Sequence, residues 1–391
     1  MPEIHARLSA SGAKKWINCP GSVQMEEQFE DKVSEFAAEG TKAHALGELK
    51  IKRQLNRIKP AEYSDKLTEL GEIPADMTEY AEGYRDFVME RYNEVLRTTP
   101  DAKLLIEQRL DFSRWVPGGF GTGDAVIVGD GALEIIDLKY GTGVKVPAEN
   151  NPQLRLYALG ALELFDFLYD IEVVRTTIYQ PRMDNISSEN LSLEDLNDWG
   201  RAIAERAEKA ADDSITERIA GGHCDSGFCK ARAICRAYAD KKTELAKYEF
   251  TKPSKLSEEE IAEIIEQSES LSKWAKLVAD YALDRAVNHH MLIPGYKLVE
   301  GKSNRKYCKS DKEIECILTE QGYKAEELYE HKLKGIGEME KLMGKSKFSK
   351  LLKDCVIKPP GKPTLVPIDD KRPAIGSSDS AADDFKDAIQ K

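Results

Sequence analysis

The chain has 391 residues and a net charge of −12, from 57 Lys and Arg against 69 Asp and Glu. That balance excludes a protein that coats nucleic acid over its whole surface, though not one with a local basic face. At 41% hydrophobic the chain can bury a sizeable core, and its length fits one large domain with additions or two domains.

No run of about eighteen apolar residues exists, so no transmembrane helix is expected. The start MPEIHARLSASG has no apolar h-region, so no signal peptide is expected. With seven cysteines this points to a reducing cytosol, where clustered Cys hold metals or lie inert in the core.

Residues 8–50 read as helical. Ser9 or Ser11 caps a first helix carrying Lys14, Lys15 and Trp16; Cys19-Pro20-Gly21 ends it and Ser22 caps the next. Cys19, in a short turn before proline, is either core or a thiolate turned outward. Residues 35–53 form a helix with His44 and Glu48 on one face. A lone helix histidine is most often held in a polar contact, and Glu48 can pair with Lys52. Residues 54–75, with Pro60 and Pro74, read as a loop. Residues 75–97 read as a long helix whose stripe of Tyr80, Tyr84, Phe87, Val88, Tyr92 and Val95 fits a core face. Residues 103–112 read as a strand in which Glu107 either points into a site or makes a salt bridge.

The stretch 121–140, GTGDAVIVGDGALEIIDLKY, reads as two apolar strands joined by Gly129-Asp130-Gly131, a hairpin signal. Asp124 opens the first strand and Asp137 closes the second. The strand period puts Asp137 and Lys139 on one face with Leu138 turned away. Two carboxylates and a lysine on adjacent strands suit metal-assisted phosphodiester hydrolysis. Hard oxygen ligands hold Mg²⁺ or Mn²⁺, which activates water, and the lysine steadies the oxyanion. The D-x-K triplet is also common on solvated hairpins, so it needs company. The glycines of 141–143 match no phosphate-loop pattern and fit a loop beside DNA. In the helix 153–167, Gln153 and Tyr157 share a face and can hold a phosphate or the lysine. Residues 172–179 read as another strand.

Residues 190–220 read as a helix opened by Ser192 and Glu194. Cys224, Cys229 and Cys235 then fall within a dozen residues, the strongest ligand signal in the chain. Their fourth partner is either Cys19, giving four thiolates suited to a 4Fe–4S cluster, or His223, giving a zinc site. Cys308, Cys316 and Cys355 read as buried thiols. Pro253-Ser254 marks a boundary, and Ser257 with Glu260 caps a helix running to about His289. Its apolar stripe can pack on the core or on another subunit. A small lobe follows over 293–370. Its Lys334-Gly335-Ile336-Gly337 reads as a helix-cap turn with a faint likeness to a helix-hairpin-helix. Nine lysines against three acids in 331–363 make its best basic face. The tail from Ser377 is polar.

Several of these pieces resemble one family. Asp124 with Glu134-Ile135-Ile136-Asp137-Leu138-Lys139 resembles the PD-(D/E)XK nuclease motif. Gln153 to Tyr157 resembles the Q-x-x-x-Y motif of its RecB-like branch, and Gly40-Thr41-Lys42-Ala43-His44 that branch's G-x-x-x-H motif. The four cysteines resemble the iron–sulfur staple of the AddB-type and CRISPR-associated exonucleases, although Cys224 and Cys229 are spaced wider than C-x2-C. The whole chain, including LSASGAKKWINCPGS and LVPIDDKRPAI, resembles a phage-encoded RecB-like family known only as a domain of unknown function.

The resemblance implies an α/β, restriction-endonuclease-like core over 1–252 closed by the Cys cluster. A long helix (253–292), the C-terminal lobe and a tail (371–391) would follow. It implies a metal-dependent DNA exonuclease of phage replication or recombination, in the cytoplasm of a bacterial host. Its substrate would be DNA, single-stranded or with a free end, and it would work beside phage replication or recombination proteins. His44, Asp124, Asp137 and the Leu138 carbonyl would hold Mg²⁺ or Mn²⁺. Lys139, Gln153 and Tyr157 would serve the reaction, and Cys19 would join Cys224, Cys229 and Cys235 on the cluster. Two rivals stand beside this reading: a DNA-binding or assembly factor that does not cut, and a zinc-stapled scaffold.

Overall fold

The computed structural model describes residues 6–30, 35–244, 257–329, 333–367 and 372–375. The chain divides into two compact units, Met1–Leu271 and Ser272–Lys391. The boundary expected at Pro253-Ser254 and the tail from Ser377 lie outside the described residues.

The first unit opens with helices α1 (Ala13–Trp16), α2 (Ser22–Glu26), α3 (Glu35–Gln54), α4 (Pro60–Glu69) and α5 (Ala75–Leu96). Strands β1 (Lys103–Asp111), β2 (Phe120–Gly129) and β3 (Ala132–Leu138) follow, then α6 (Pro152–Phe165), β4 (Val173–Gln180) and β5 (Asn185–Ser192). Helices α7 (Leu193–Ala211), α8 (Gly222–Ser226) and α9 (Arg236–Lys242) complete it. The five strands form one mixed sheet in sequence order, antiparallel except for the parallel pair β3 and β4 bridged by α6. A parallel pair needs such a crossover because a tight turn cannot reverse the chain twice.

Both faces of the sheet are covered, which is why 125–128 and 132–136 read as unbroken apolar runs. Leu110, Val126, Leu133, Ile135 and Ile178 pack with Leu154 and Leu156 of α6 and with Leu196 of α7. Leu104, Ala125, Ile127, Ile136 and Leu138 pack on the other face with Ile51 of α3 and with Tyr84 and Val88 of α5. On this second face Glu134 is 3% exposed. Arg91 Nε donates to its Oε2 at 2.9 Å, and Thr177 Oγ1 to its Oε1 at 2.8 Å.

Two expectations about local structure are corrected. Residues 60–69 are not loop: Pro60 occupies the first turn of α4, where its missing N–H costs nothing. The helix expected over 190–220 gives up its start to β5 and ends at Ala211. The sequence NISSENLS carries little strand propensity, so pairing with β4 decides β5. Ser192 remains the cap, accepting from Asp195 N–H at 3.1 Å.

Helix α10 (Glu258–Asn288) spans the division between the units; Glu260 accepts from Ser257 N–H and Ser257 Oγ from Glu260 N–H. The second unit holds β6 (Tyr296–Glu300), β7 (Lys306–Tyr307), α11 (Asp311–Thr319), α12 (Ala325–Leu328), α13 (Ile336–Met343), α14 (Lys345–Leu352), β8 (Val356–Ile357) and β9 (Pro363–Pro367). Strand β6 pairs with β9 and β7 with β8, around a core of Ile314, Leu318, Leu328, Met339, Phe348 and Leu352. Gly335 is the N-cap of α13, so the glycine turn is a helix cap. Cys355 is buried, but Cys308 and Cys316 are exposed, which corrects the expectation for those two. Among the described residues no helix is long and apolar enough to cross a membrane.

The Glu134 cage yields a stability prediction. Arg91→Ala should lower the unfolding free energy by about 2–3 kcal/mol, because it leaves a buried carboxylate without its counter-charge. The pair Arg91→Met with Glu134→Leu should recover most of it, and urea unfolding followed by circular dichroism measures both.

Candidate active site and cysteine centre

The site lies where the sheet forks. Pairing between β2 and β3 runs from Gly129 and Ala132 to Ala125 and Ile136, and stops. Beyond that point β2 continues against β1 alone, through Gly123 to Phe120. Strand β3 continues against β4 alone, with Asp137 beside Ile178 and Leu138 beside Tyr179. Asp124 and Asp137 are therefore the first residues on either side of the split.

The alternation of faces also breaks here. Leu104 and Leu110 are an even number of residues apart on β1, yet they belong to opposite cores. Glu107 lies between them with φ +51, where the ladder skips from the pair Ile106–Ala125 to the pair Gln108–Gly123 and leaves Glu107 and Asp124 out. A left-handed carboxylate residue within a strand is strained and persists only where its surroundings hold it. On β2, Val126 and Gly121 are an odd number apart, but both face α6. A Cβ at Gly121 would stand 2.6 Å from Tyr157 Cε1, so only glycine admits that ring.

One half of the site gathers His44, Glu107 and Asp124. A ligand atom from each lies within 4.8 Å of the others. His44 Nδ1 is 3.2 Å from Asp124 Oδ1, and the other oxygen, Oδ2, accepts from the Leu138 N–H at 2.7 Å. Leu138 thus enters the site through its backbone, while its side chain packs in the opposite core.

Burial works against a charged His44. The Asp124 carboxylate, by charge and hydrogen bond, and Asp137 outweigh it and raise the imidazole pKa to about 9. The Glu107 residue is exposed at the rim, but its carboxyl end is hemmed in. Burial there, then repulsion from Asp124 and Glu48, raises its pKa to about 7. Crowded acids of this kind favour a shared cation.

The other half is a chain of contacts running onto α6. Lys139 Nζ is 2.9 Å from Asp137 Oδ2 and donates to Gln153 Oε1 at 3.0 Å. Gln153 Nε2 donates to Asp137 Oδ1 at 3.2 Å and lies 3.4 Å from the Tyr157 hydroxyl. Asn151 caps α6, its side chain accepting from Gln153 and Leu154 N–H, and Pro152 fixes the first turn. That cap delivers Gln153 to the fork, with Tyr157 one turn on.

Asp137 is almost wholly buried, and burial, with repulsion from Asp124, raises its pKa despite Lys139. Burial opposes charge on Lys139 too, but Asp137 and Asp124 outweigh it and raise its pKa. Asp137 Oδ2 is buried against the Lys139 ammonium at 2.9 Å, and the carboxylate still has lone pairs to offer a cation. Carboxylate oxygens and an imidazole crowded together in this way fit a hard divalent cation.

All the expected site residues thus meet at the fork. Of the two readings left open for Glu107, the structure places it in the site beside His44 and Asp124; its strained φ is not written in residue type. Glu48 contacts Lys52, as a surface partner would. Gln180 is the addition. Its side chain donates to Gly141 O (2.8 Å) and Val144 O (3.0 Å) and accepts from Val146 N–H (3.0 Å), pinning the loop after Lys139.

The four cysteines line one cavity, with Met25, Ile219 and Tyr238. Cys19 arrives because Gly21 presses against the segment before α8. A Cβ there would lie 2.4 Å from Glu217 O. Backbone N–H groups point at two of the sulfurs: Ile219 to Cys19 at 3.3 Å and Gly221 to Cys224 at 3.5 Å. The wide spacing from Cys224 to Cys229 is absorbed by a turn. Phe228 is left-handed at φ +52, and Cys229 N–H returns to Cys224 O at 3.0 Å, a Schellman closure.

His223 also lines the cavity, but its Nε2 is 2.9 Å from Ile219 O and its Nδ1 edge lies against Gly221. Among the described residues the cysteine sulfurs form no set of three within 4.8 Å. A zinc tetrahedron sets sulfurs ~3.8 Å apart. Four thiols lining one cavity are a donor set that either a cluster or a zinc ion can use. Burial raises the thiol pKa of Cys19 and Cys224, and that of Cys229 to about 11, so loading the centre must expel protons.

The fold and site define an α/β protein with a five-stranded mixed sheet, an acid- and lysine-lined fork, and a four-cysteine cavity. A family model described as "Protein of unknown function (DUF2800)" matches residues 5–373, and the chain belongs to that family. A solved structure described as "Crystal structure of SSO0001" is similar at 16% identity, over 56% of this chain and 95% of that one, with a TM-score of 0.23.

Cation binding must displace protons from His44 and Glu107. Affinity for Mn²⁺ should therefore climb as pH rises through about 7 and level off above about 9. Calorimetry in buffers of differing ionisation enthalpy counts the protons released, and His44→Ala should remove the upper step.

Proposed function

We propose that this protein is a metal-dependent DNA nuclease with a RecB-like PD-(D/E)XK core, acting as an exonuclease in phage DNA replication or recombination. The observation that carries the reading is the linked set Lys139, Asp137, Gln153 and Tyr157 standing across the sheet fork from His44, Glu107 and Asp124. Neither half alone is diagnostic. Together they put a half-buried ammonium beside a hard-ligand trio, an arrangement suited to phosphodiester hydrolysis.

His44, Asp124 and Glu107, with Asp137 and the Leu138 carbonyl, would hold Mg²⁺ or Mn²⁺. Such an ion, when bound, supplies positive charge at the phosphate and a more acidic water. Lys139 keeps its proton, because two carboxylates favour the ammonium, and offers it to the non-bridging oxygen where charge grows. Gln153 fixes the lysine and Asp137 at once, so neither must reorganise during the reaction. Tyr157 closes the fork over Gly121 and excludes water from that side. The cysteine cavity would hold a 4Fe–4S cluster that staples residue 19 to residues 224–235, a structural role.

Asp137→Ala and Lys139→Ala should each lower cleavage of end-labelled linear DNA in Mn²⁺ by about 10³-fold or more while leaving the circular dichroism spectrum intact. Full activity in Lys139→Ala would refute the assignment. Protein purified without oxygen should carry iron and sulfide in equal amounts and absorb broadly near the blue end of the visible. Cys19→Ala should lose both, whereas His223→Ala should keep them. Zinc in place of iron, lost in His223→Ala, would reverse the choice of fourth ligand.

A further inference from the structure

Beside the fork, β1 and β2 carry a flat cationic stack that the hydrolytic residues do not use. Arg109 pairs in register with Thr122, and Asp111 with Phe120, so Arg109, Thr122 and Phe120 lie on one face. The Arg109 guanidinium lies over the Phe120 ring, 3.7 Å from its centroid. The opposite face at this point is closed by Leu110 in the core and by Tyr157 against Gly121. Arg109 and Thr122 are exposed. Among the described residues no carboxylate lies within salt-bridge distance of Arg109; the nearby Asp111 carboxylate accepts from the Ser113 N–H at 2.8 Å and feels the Arg109 charge only at longer range.

The stack is close to the site. Arg109 is two residues beyond Glu107, and Thr122 two residues before Asp124. Two residues of strand span ~6.6 Å. A ring beneath a guanidinium holds its plane fixed while the outer surface stays open to solvent, a preorganised platform for a flat partner. A surface stack of this kind contributes little to folding, so stability alone gives weak reason for it.

We propose that Arg109, braced by Phe120, is a stacking seat for an unpaired nucleobase next to the phosphate held at the fork, with the Thr122 hydroxyl against the same nucleotide's backbone. This inference rests on the nuclease reading and deepens it, since it makes the preferred substrate a single strand or a frayed end. Guanidinium planes stack on bases without regard to sequence, so the seat gives affinity and register but no sequence preference.

The test uses full-length protein and a 5′-fluorescein 20-mer of thymidylate. Anisotropy in EDTA gives the Kd, and digestion in Mn²⁺ gives kinetics. Arg109→Ala should weaken binding about tenfold, with the loss in kcat/KM carried by KM. Arg109→Lys should do little better, because it keeps the charge and loses the plane. Oligomers with one abasic position moved along the chain should lose affinity at a single position in wild type and at none in Arg109→Ala. Binding by Arg109→Ala within about twofold of wild type, or full rescue by Arg109→Lys, overturns the seat. If those results come with wild-type cleavage, only the seat falls. If wild type neither binds nor cuts the oligomer, the nuclease reading falls and takes the seat with it.

Discussion

The first unit is organised by a pairing that stops short. Strands β2 and β3 are buried on both faces and hold together only as far as Ala125 and Ile136. Had the ladder continued, Asp124 and Asp137 would face each other as a like-charge cross-strand pair, an arrangement that repels. Instead each strand keeps its outer neighbour and lets go of the inner one. The carboxylates turn to separate partners, His44 from α3 and Lys139 with Gln153 from α6. The fork thus relieves repulsion and at the same time creates a polar opening between two apolar layers.

That opening is expensive in the absence of a compensating charge. Asp137 is buried near the like charge of Asp124, and Glu107 holds a left-handed backbone. Each costs free energy that the surrounding cores must offset. Local rules that are broken together, at one place, mark a site more reliably than any one of them. By contrast Glu134, three residues before Asp137, is equally buried yet fully satisfied by Arg91 and Thr177, and it reads as structure.

The cysteine centre obeys a different logic. Its ligands come from distant parts of the chain, and polar contacts already tie those parts together. Arg7 contacts Glu27 and Asp213, Gln24 Nε2 donates to Asp213 O at 2.9 Å, and Lys230 N–H donates to Glu26 Oε1 at 2.7 Å. These contacts hold the four cysteines around one cavity without calling on a bound group.

Much of this was legible from residue order. The hairpin 121–140, the cap and spacing of Asn151, Gln153 and Tyr157, and the late cysteine run are local patterns, because hairpins, helix caps and thiolate loops are governed by neighbours. The sequence by itself thus determined the central strands, the acid and lysine set, and the candidate cysteine ligands. Three things were decided only in tertiary structure. Strand β5 exists because β4 offers an edge, against the propensity of its own residues. Glu107 joins His44 and Asp124 because the sheet changes face at that residue, a property of two strands and not of one. Cys19 reaches the cavity of Cys224, Cys229 and Cys235 because Gly21 lets two remote segments touch, while His223 Nε2 lies against Ile219 O. In each case the deciding contact lies far away along the chain, beyond the reach of periodicity, capping or spacing.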